Sequence, residues 1–254
     1  MKITIVKVGG KVLENANSLN EFLESFKAIS GLKWLVHGGG NRATEIAEKL
    51  GIENSFVNGR RVTSKEFLDV AIDTYAGINK KLVALLQSKG ISALGLCGAD
   101  LQLIPSEKRV TSTTDFGFVG DPLNSEINTE LLDFLLNSEI TPVFSALSYD
   151  AKLGVLLNTN ADAVAANLVQ KLSTKVDVEL VLAFEKNGVL MNPNDDSTVI
   201  PTIQQTEVVN LKEKGIIFQG MLPKIESAVL AIENGADLVR ITSYKALQEG
   251  TVIQ

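Results

Sequence analysis

Short β-branched runs alternate with amphipathic stretches along the chain. Residues 3–8 form an apolar run that ends at Gly9-Gly10, which is the pattern of a buried strand followed by a tight turn. The next stretch has apolar residues at helical spacing, with Ser18 as its predicted cap. A second short strand, at residues 33–36, stops at Gly38-Gly39-Gly40 and leads into a helix with Leu50 on its inward face.

The alternation continues to the C-terminus. Further strands are predicted at residues 91–96, 141–145, 178–183, 189–191 and 238–241. Further helices are predicted from Ser64 to Gly90 (with Leu85 inward), from Asn128 to Leu136, from Asn160 to Leu172 and from Gly220 to Asn234. Residues 56–62 and 108–120 carry hairpin patterns instead. Strands that alternate with helices predict an α/β fold with a mostly parallel central sheet.

Composition narrows the classes of function. The 254 residues carry a net charge of -6 without a basic block, which disfavours nucleic acid and anionic membrane surfaces as partners. No stretch is long and apolar enough for a signal peptide or a membrane span. The single cysteine, Cys97, excludes an intramolecular disulfide, and the single histidine, His37, cannot form a metal cluster. We therefore expect a cytoplasmic protein that acts on a small molecule and holds no metal of its own.

Two glycine turns follow the carboxyl ends of predicted strands, the edge where open α/β sheets bind ligands. Glycine lets the backbone approach a ligand, and successive N–H groups beside a helix N-terminus can hold an anion. Lys7 lies inside an apolar strand next to the first turn, where its charge favours an anion such as a transferred phosphoryl group. The alternatives are plain tight turns and an edge-strand lysine that reaches solvent.

Familiar phosphate-binding signatures do not explain these turns, because the P-loop, the dinucleotide fingerprint and the protein-kinase signature set are absent from the sequence. Five other motifs occur in order: Lys7-Val8-Gly9-Gly10, His37-Gly38-Gly39-Gly40, Asn58-Gly59-Arg60-Arg61-Val62-Thr63, Asn158-Thr159-Asn160-Ala161-Asp162 and Gly220-Met221-Leu222-Pro223-Lys224. The ordered set resembles the amino-acid kinase family, and within it the members that phosphorylate an N-acylated glutamate for arginine biosynthesis. It spans nearly the whole chain.

The resemblance implies a fold and a reaction. Residues 1–254 would form one three-layer α/β/α sandwich, with an N-terminal lobe of residues 1–176 for the acylated amino acid and a C-terminal lobe of residues 177–254 for ATP. ATP would phosphorylate the γ-carboxylate of N-acetyl-L-glutamate, with Mg²⁺ bridging the phosphates. N-succinyl-L-glutamate stays open as the acceptor, as do the small acids of other family members and a binding protein without catalysis.

The same resemblance implies catalytic roles. Lys7 and Lys224 would neutralise the phosphoryl group in flight, and Asp162 would hold both ammonium groups. The phosphoryl group and the acceptor carboxylate would be bound by the main-chain N–H groups of four glycines, which are Gly9, Gly10, Gly39 and Gly40. From the residues alone, Asp162 could equally be a first-turn helix acid, and Lys224 a solvated lysine.

Three further residues would hold the acid. Arg61 would clamp the α-carboxylate as a fork, Asn158 would bind the region of the α-substituent, and Asn160 would support the site. Surface charge for Arg61 and a turn role for Asn158 are the alternatives. His37 is expected to be a turn or packing residue rather than a general base.

The nucleotide-binding stretch of the family is matched less well. It corresponds to residues 183–189, where Gly188 and Val189 keep the pattern but Phe184 and Glu185 replace the usual polar and acidic pair. We expect nucleotide contacts from Glu185, Lys186, Gly188 and Phe218.

The long helix after Ser64 would be the dimer helix by resemblance, or an ordinary core helix by its pattern alone. Arginine-inhibited family members carry an extra helix before the first strand, and this sequence begins at the strand. The resemblance therefore implies an arginine-insensitive homodimer.

Overall fold

The computed structural model describes residues 1–57, 60–123, 129–192, 194–213, 215, 217 and 221–254. The strands are β1 (Lys2–Val8), β2 (Leu32–His37), β3 (Ser55–Val57), β4 (Arg60–Val62), β5 (Ala93–Leu96), β6 (Ser106–Val110), β7 (Asp115–Pro122), β8 (Thr141–Ser145), β9 (Leu147–Asp150), β10 (Val155–Asn158), β11 (Asp177–Phe184), β12 (Thr202–Ile203), β13 (Leu238–Ser243) and β14 (Thr251–Ile253). The helices are α1 (Gly10–Glu14), α2 (Ala16–Ala28), α3 (Gly40–Lys49), α4 (Lys65–Ser88), α5 (Thr129–Asn137), α6 (Ala161–Leu172), α7 (Val208–Glu213) and α8 (Leu222–Glu233). The predicted positions Asn58, Gly59, Asn128, Phe218 and Gly220 lie outside the described residues.

Polar side chains cap three helix starts. The Ser64 hydroxyl accepts from the N–H of Phe67 at 3.1 Å, and the Asn160 side chain accepts from the N–H of Asp162 at 2.7 Å, as the sequence predicted for α4 and α6. The prediction that Ser18 caps α2 is wrong. This helix begins earlier, and the Asn15 side chain accepts from the N–H of Ser18 at 3.0 Å.

The chain divides into two compact units. Unit 1 contains Met1–Trp34 and Leu168–Gln254, and unit 2 contains Leu35–Asn167. These bounds differ from residues 1–176 and 177–254 because β1 pairs with β11, which joins the N-terminal strand to the C-terminal part of the chain.

Unit 1 is built on strands in the order β12, β14, β13, β11 and β1. The pairs β1–β11 and β11–β13 are parallel, so these three strands end at the same edge, whereas β14 runs antiparallel to β13. Apolar side chains from α2 and α8 are buried, among them Phe22, Phe26 and Ile225. The β-branched runs of the sequence therefore become central strands because helices cover them.

An ion triad joins the amino ends of these strands. The Glu179 carboxylate on β11 lies 2.8 Å from Nζ of Lys2 on β1 and 2.9 Å from Nε of Arg240 on β13. Burial raises the pKa of Glu179, but hydrogen bonds and charge from Lys2 and Arg240 outweigh burial and leave the pKa lowered. The triad therefore fixes charge at the edge opposite the strand ends.

Unit 2 contains the parallel strands β2, β8 and β5 and the long helix α4. A second sheet has the order β6, β7, β10 and β9, and β3 pairs with β4 as an antiparallel hairpin. Helix α4 lies against β5 and β8. The prediction of a mixed α/β fold with mostly parallel strands is confirmed, as are both hairpins.

No helix within the described ranges is long and apolar enough to cross a membrane.

Candidate active site

The carboxyl edge of unit 1 carries the first glycine turn. Lys7 on β1 lies opposite Leu182 on β11, and Val8 lies opposite Ala183, so both strands end together. Gly9 and Gly10 follow at this edge, with Gly9 in the capping position of the short helix α1. The structure thus places Lys7 and the glycine turn where parallel strands end, the common position of ligands in open α/β sheets.

Lys224 reaches the same edge from α8. Its ammonium lies 4.8 Å from the centroid of the Phe184 ring, and Phe184 is the last residue of β11. An ammonium over an aromatic face is attracted by the ring quadrupole. Unit 1 therefore places Lys7 near the carboxyl end of β1 and the Lys224 ammonium over the last residue of the neighbouring strand β11.

The stretch after β11 is anchored on β14. The N–H of Val189 donates to the Thr251 hydroxyl at 2.8 Å, and a Cβ at Gly188 would lie 2.7 Å from the same oxygen. Glu185 and Lys186 are exposed, and Lys186 Nζ lies 3.1 Å from the Asp196 carboxylate. Residues 189–191 form only an isolated bridge between Leu190 and Val199, so the predicted strand there is wrong.

In unit 2, the guanidinium of Arg61 is held on four sides. Its central carbon lies 4.5 Å from the Phe56 ring centroid and 4.2 Å from that of Phe67. Its two terminal nitrogens donate to the side-chain oxygen Oδ1 of Asn54 and to the Thr44 hydroxyl. Burial lowers the pKa of Arg61, and the charges of Tyr75 and Glu48 oppose this. A guanidinium has five N–H groups, and among the described residues these two hydrogen bonds use two of them, which leaves N–H groups in the same plane for a planar anion.

Asn158 is 9% exposed and has both ends of its amide fixed. Its oxygen accepts from the Tyr75 hydroxyl at 3.2 Å, and its nitrogen donates to the Thr63 hydroxyl at 3.0 Å. Burial raises the pKa of Tyr75 to about 12, with Arg61 opposing, so Tyr75 is a neutral donor at physiological pH. The predicted residue thus sits in a buried network rather than in a solvated turn.

The second glycine turn packs against α4. A Cβ at Gly39 would lie 2.7 Å from Cδ1 of Tyr75 and 2.8 Å from Cδ1 of Ile78, so only glycine fits this close approach. Gly40 is the first residue of α3, and its Cβ position would lie 3.7 Å from the Tyr75 hydroxyl. The N-terminal N–H groups of α3 therefore begin beside the Tyr75–Asn158 pair.

His37 orders this turn and is fully buried. Nδ1 lies 2.8 Å from the Gly38 carbonyl, and Nε2 lies 3.1 Å from Nδ2 of Asn79, which also donates to the Val143 carbonyl. Because an amide nitrogen only donates, Nε2 accepts and Nδ1 carries the hydrogen. Burial lowers the pKa of His37 to about 4, although the hydrogen bond to Gly38 acts to raise it. The neutral ring is thus a packing residue.

A cavity of about 550 Å³ opens beside Thr63 in unit 2. Its lining includes the carboxyl groups of Glu53, Glu66 and Asp115. Because these would repel carboxylates, an acidic ligand is better matched to the Arg61 and Asn158 side of Thr63 than to this cavity.

Four residues that hold the Arg61 guanidinium or the Asn158 amide were not identified from the sequence: Thr44, Asn54, Thr63 and Tyr75. Thr63 ends a quoted motif but was given no role, and Tyr75 was not singled out within the long helix after Ser64. A hydroxyl on an apolar helix face was the available signal, because a buried Tyr hydroxyl usually has a partner.

The chain is similar to known proteins over nearly its whole length. The sequence model of the amino acid kinase family matches residues 2–243. The chain is 47% identical over 251 residues to the acetylglutamate kinase of Phocaeicola vulgatus, covering 98% of this chain and 96% of the relative. It is 46% identical over 256 residues to that of Bacteroides thetaiotaomicron, covering 100% and 98%. A solved Streptococcus mutans protein matches with a TM-score of 0.76 at 27% identity, covering 99% and 98%. The predicted fold is confirmed.

Proposed function

The chain belongs to the amino acid kinase family, and from that premise we propose that it transfers the terminal phosphoryl group of ATP to the γ-carboxylate of N-acetyl-L-glutamate, giving N-acetylglutamyl 5-phosphate for arginine biosynthesis. The choice of substrate rests on relatives named acetylglutamate kinase, which are 46–47% identical over nearly the full length.

The observation that carries the proposal is a pair of ordered groups in unit 2, the Arg61 guanidinium held by Asn54 and Thr44 and the Asn158 amide held by Tyr75 and Thr63. A guanidinium fixed between two rings presents its remaining N–H groups in a plane, which suits bidentate binding of the α-carboxylate. Asn158 lies on the same Thr63–Tyr75 network and contributes an oriented amide for the α-substituent. Asn160 supports the site as the cap of α6. The N–H groups of Gly39 and Gly40 would bind the acceptor carboxylate.

The transfer itself needs charge rather than a base. The γ-carboxylate is ionised at neutral pH, so it attacks phosphorus directly and no proton has to be removed. Lys7 and Lys224 neutralise the oxygens of the phosphoryl group in flight, with the N–H groups of Gly9 and Gly10. The family resemblance gives Asp162 the task of orienting both ammonium groups.

We assign the acid to unit 2 and ATP to unit 1. This keeps the allocation predicted for the N- and C-terminal lobes, except that Met1–Trp34, which includes Lys7, and residues 168–176 belong to unit 1. Glu185, Lys186, Gly188 and Phe218 remain the proposed nucleotide contacts, and Phe218 is outside the described residues.

Mg²⁺ would arrive on the phosphates of ATP. Across the described part of the chain, no three His, Cys, Asp or Glu side chains group to hold a metal ion. Kinases bind Mg²⁺ largely through substrate phosphates with one or two carboxylates, so this residue set fits an ion brought by ATP, which supplies charge neutralisation when bound.

We further propose a cytoplasmic homodimer formed through α4. Gly77, Ala84 and Leu85 are exposed and share one face of this helix. Light scattering that reports twice the chain mass at micromolar concentration would support the dimer, and a monomer mass would exclude it.

The function is tested by trapping the acyl phosphate with hydroxylamine in the presence of ATP and Mg²⁺. N-acetyl-L-glutamate, N-succinyl-L-glutamate and free L-glutamate are compared at equal concentration. We expect hydroxamate from the acetylated acid above all. A preference for the succinylated acid would change the acceptor but keep the reaction, whereas no product from any of the three would overturn the proposal.

A further inference from the structure

Strand β7 clamps the residue that follows β4. The N–H of Thr63 donates to the Phe116 carbonyl at 3.0 Å, and the N–H of Phe118 donates to the Thr63 carbonyl at 2.8 Å. Both hydrogen bonds belong to a single bridge between Thr63 and Gly117. The main chain of Thr63 is therefore tied to the β6–β7 hairpin on both of its polar groups.

Gly117 is required for this bridge on two separate grounds. Its φ is +69°, a conformation that glycine adopts far more readily than other residues. A Cβ at this position would lie 2.2 Å from the Thr63 carbonyl oxygen. The Asp115 side chain accepts from the Gly117 N–H at 2.7 Å and stabilises the local turn.

The side chain of Thr63 passes this restraint to Asn158. Thr63 is fully buried, and its Oγ1 accepts one hydrogen of the Asn158 amide at 3.0 Å. Threonine is stiff at χ1, so a fixed main chain also fixes the hydroxyl. The amide nitrogen carries a second hydrogen, and its direction follows from the first because the amide is planar.

We propose that Thr63, held by Gly117, is a positioning residue for the acceptor substrate: it sets the plane of the Asn158 amide so that its second N–H meets the acylated amino acid. This inference rests on the proposed function, because the acylated acid is the ligand that Asn158 would bind. The proposal assigns Thr63 no contact with the reacting carboxylate or the phosphoryl group.

The test compares Thr63→Val with Thr63→Ser in the unmodified chain background. Valine keeps the shape but removes the acceptor, which leaves the Asn158 amide held only through its oxygen by the Tyr75 hydroxyl. We expect Thr63→Val to raise KM for N-acetyl-L-glutamate about 10- to 50-fold, while kcat and KM for ATP change less than about threefold. Serine keeps the hydroxyl, so Thr63→Ser should restore KM to within about threefold of the original.

A second pair of variants tests the clamp. In Gly117→Ala the new Cβ meets both an unfavourable left-handed φ and the close contact with Thr63. Gly90→Ala is the matched control, because Gly90 has a similar φ of +80° but no atom within 4 Å of its Cβ position. We expect Gly117→Ala to raise KM for the acid and Gly90→Ala to leave it unchanged. If Gly117→Ala does not fold, the threonine pair decides.

The outcomes separate this assignment from the function on which it rests. If KM for N-acetyl-L-glutamate in Thr63→Val stays at the value of the original chain, the assignment of Thr63 is overturned and the proposed function is not. Equal losses in Thr63→Val and Thr63→Ser, with kcat falling as much as KM rises, would overturn it in favour of a purely structural role. No turnover by the unmodified chain on any acylated acid would overturn the proposed function and this assignment with it.

Discussion

The two units hold their positive charges differently. In unit 2, Arg61 lies between two aromatic rings and donates hydrogen bonds to two side chains, so its plane is set before a ligand binds. In unit 1, Lys224 places a compact ammonium over the Phe184 ring on a flexible four-carbon stem. A planar fork suits a carboxylate that must be recognised, whereas a point charge can follow a phosphoryl group that moves during transfer. Recognition thus needs more prior ordering than charge neutralisation does.

The largest expected effect is on the lysines of unit 1. Lys7→Ala and Lys224→Ala should each lower kcat about 10²- to 10³-fold, because each removes a charge that stabilises the transition state. KM for the acid should change little, since the acid is assigned to unit 2. Steady-state kinetics with both substrates varied would measure this.

Lys27→Ala is the control for these variants, because Lys27 is an exposed lysine of unit 1 on α2. It should keep the original kcat. Normal rates in both Lys7→Ala and Lys224→Ala would remove the catalytic assignment and with it the contrast between the units.

The next prediction concerns Lys2 and Arg240, two positively charged residues of unit 1 that we expect to affect stability and not catalysis. Lys2 and Arg240 already face a carboxylate, so Glu179→Gln should lower the free energy of unfolding on the order of 3 kcal/mol by leaving Arg240 without its partner. It should not change kcat. Urea unfolding at pH 7 would measure the loss, and an unchanged midpoint would show that the triad contributes no stability.

The pH dependence of the triad has a definite sign. The pKa of Glu179 is lowered in the folded state relative to its ordinary value of 4.5. Its stabilisation is therefore fully present above about pH 4.5 and is lost as pH falls through the lower folded value. Unfolding curves between pH 7 and pH 3 should converge for the original chain and Glu179→Gln at the acid end.

A smaller effect is expected for substitution of Arg61, the planar guanidinium of unit 2. Arg61→Lys keeps the charge but loses the planar geometry and the stacking on Phe56 and Phe67. KM for the acid should rise about 10- to 50-fold with kcat nearly unchanged. If instead kcat fell and KM stayed constant, Arg61 would be acting in the transition state, and the proposed division between recognition and charge neutralisation would be incorrect.

The sequence was informative about element order and weaker at element boundaries. Leu50 was expected to face inward but is 65% exposed, because α3 ends at Lys49 and the helical period ends there. On α4, Leu85 is 37% exposed and its neighbour Leu86 is the buried leucine. Adjacent leucines both fit a 3.6-residue period approximately, so the pattern alone could not choose between them. The β9–β10 hairpin was not predicted, because both strands have only four residues and β10 is an apolar run without polar alternation.

The candidate site could be predicted where a motif stood in one stretch of sequence. Arg61, Asn158 and Lys7 were named in this way, and their roles stay predictions. Their partners could not be named, because the Tyr75–Asn158 hydrogen bond joins residues 83 positions apart and the Asn158–Thr63 bond joins residues 95 apart. Periodicity and propensity describe neighbours along the chain, whereas these contacts exist only once the fold has formed.

The smallest expected effect concerns the exposed edge of unit 1. Lys186 and Asp196 form an ion pair 3.1 Å apart, with 45% and 59% of their side chains exposed. Exposed pairs contribute about 0–1 kcal/mol, so Lys186→Ala and Asp196→Asn should each leave the thermal midpoint almost unchanged. If Lys186 also contacts the nucleotide, Lys186→Ala should raise KM for ATP about threefold, while Asp196→Asn, which removes the pair but keeps the lysine, should not. Equal KM values in both variants would restrict Lys186 to the surface and leave the nucleotide to other residues of unit 1.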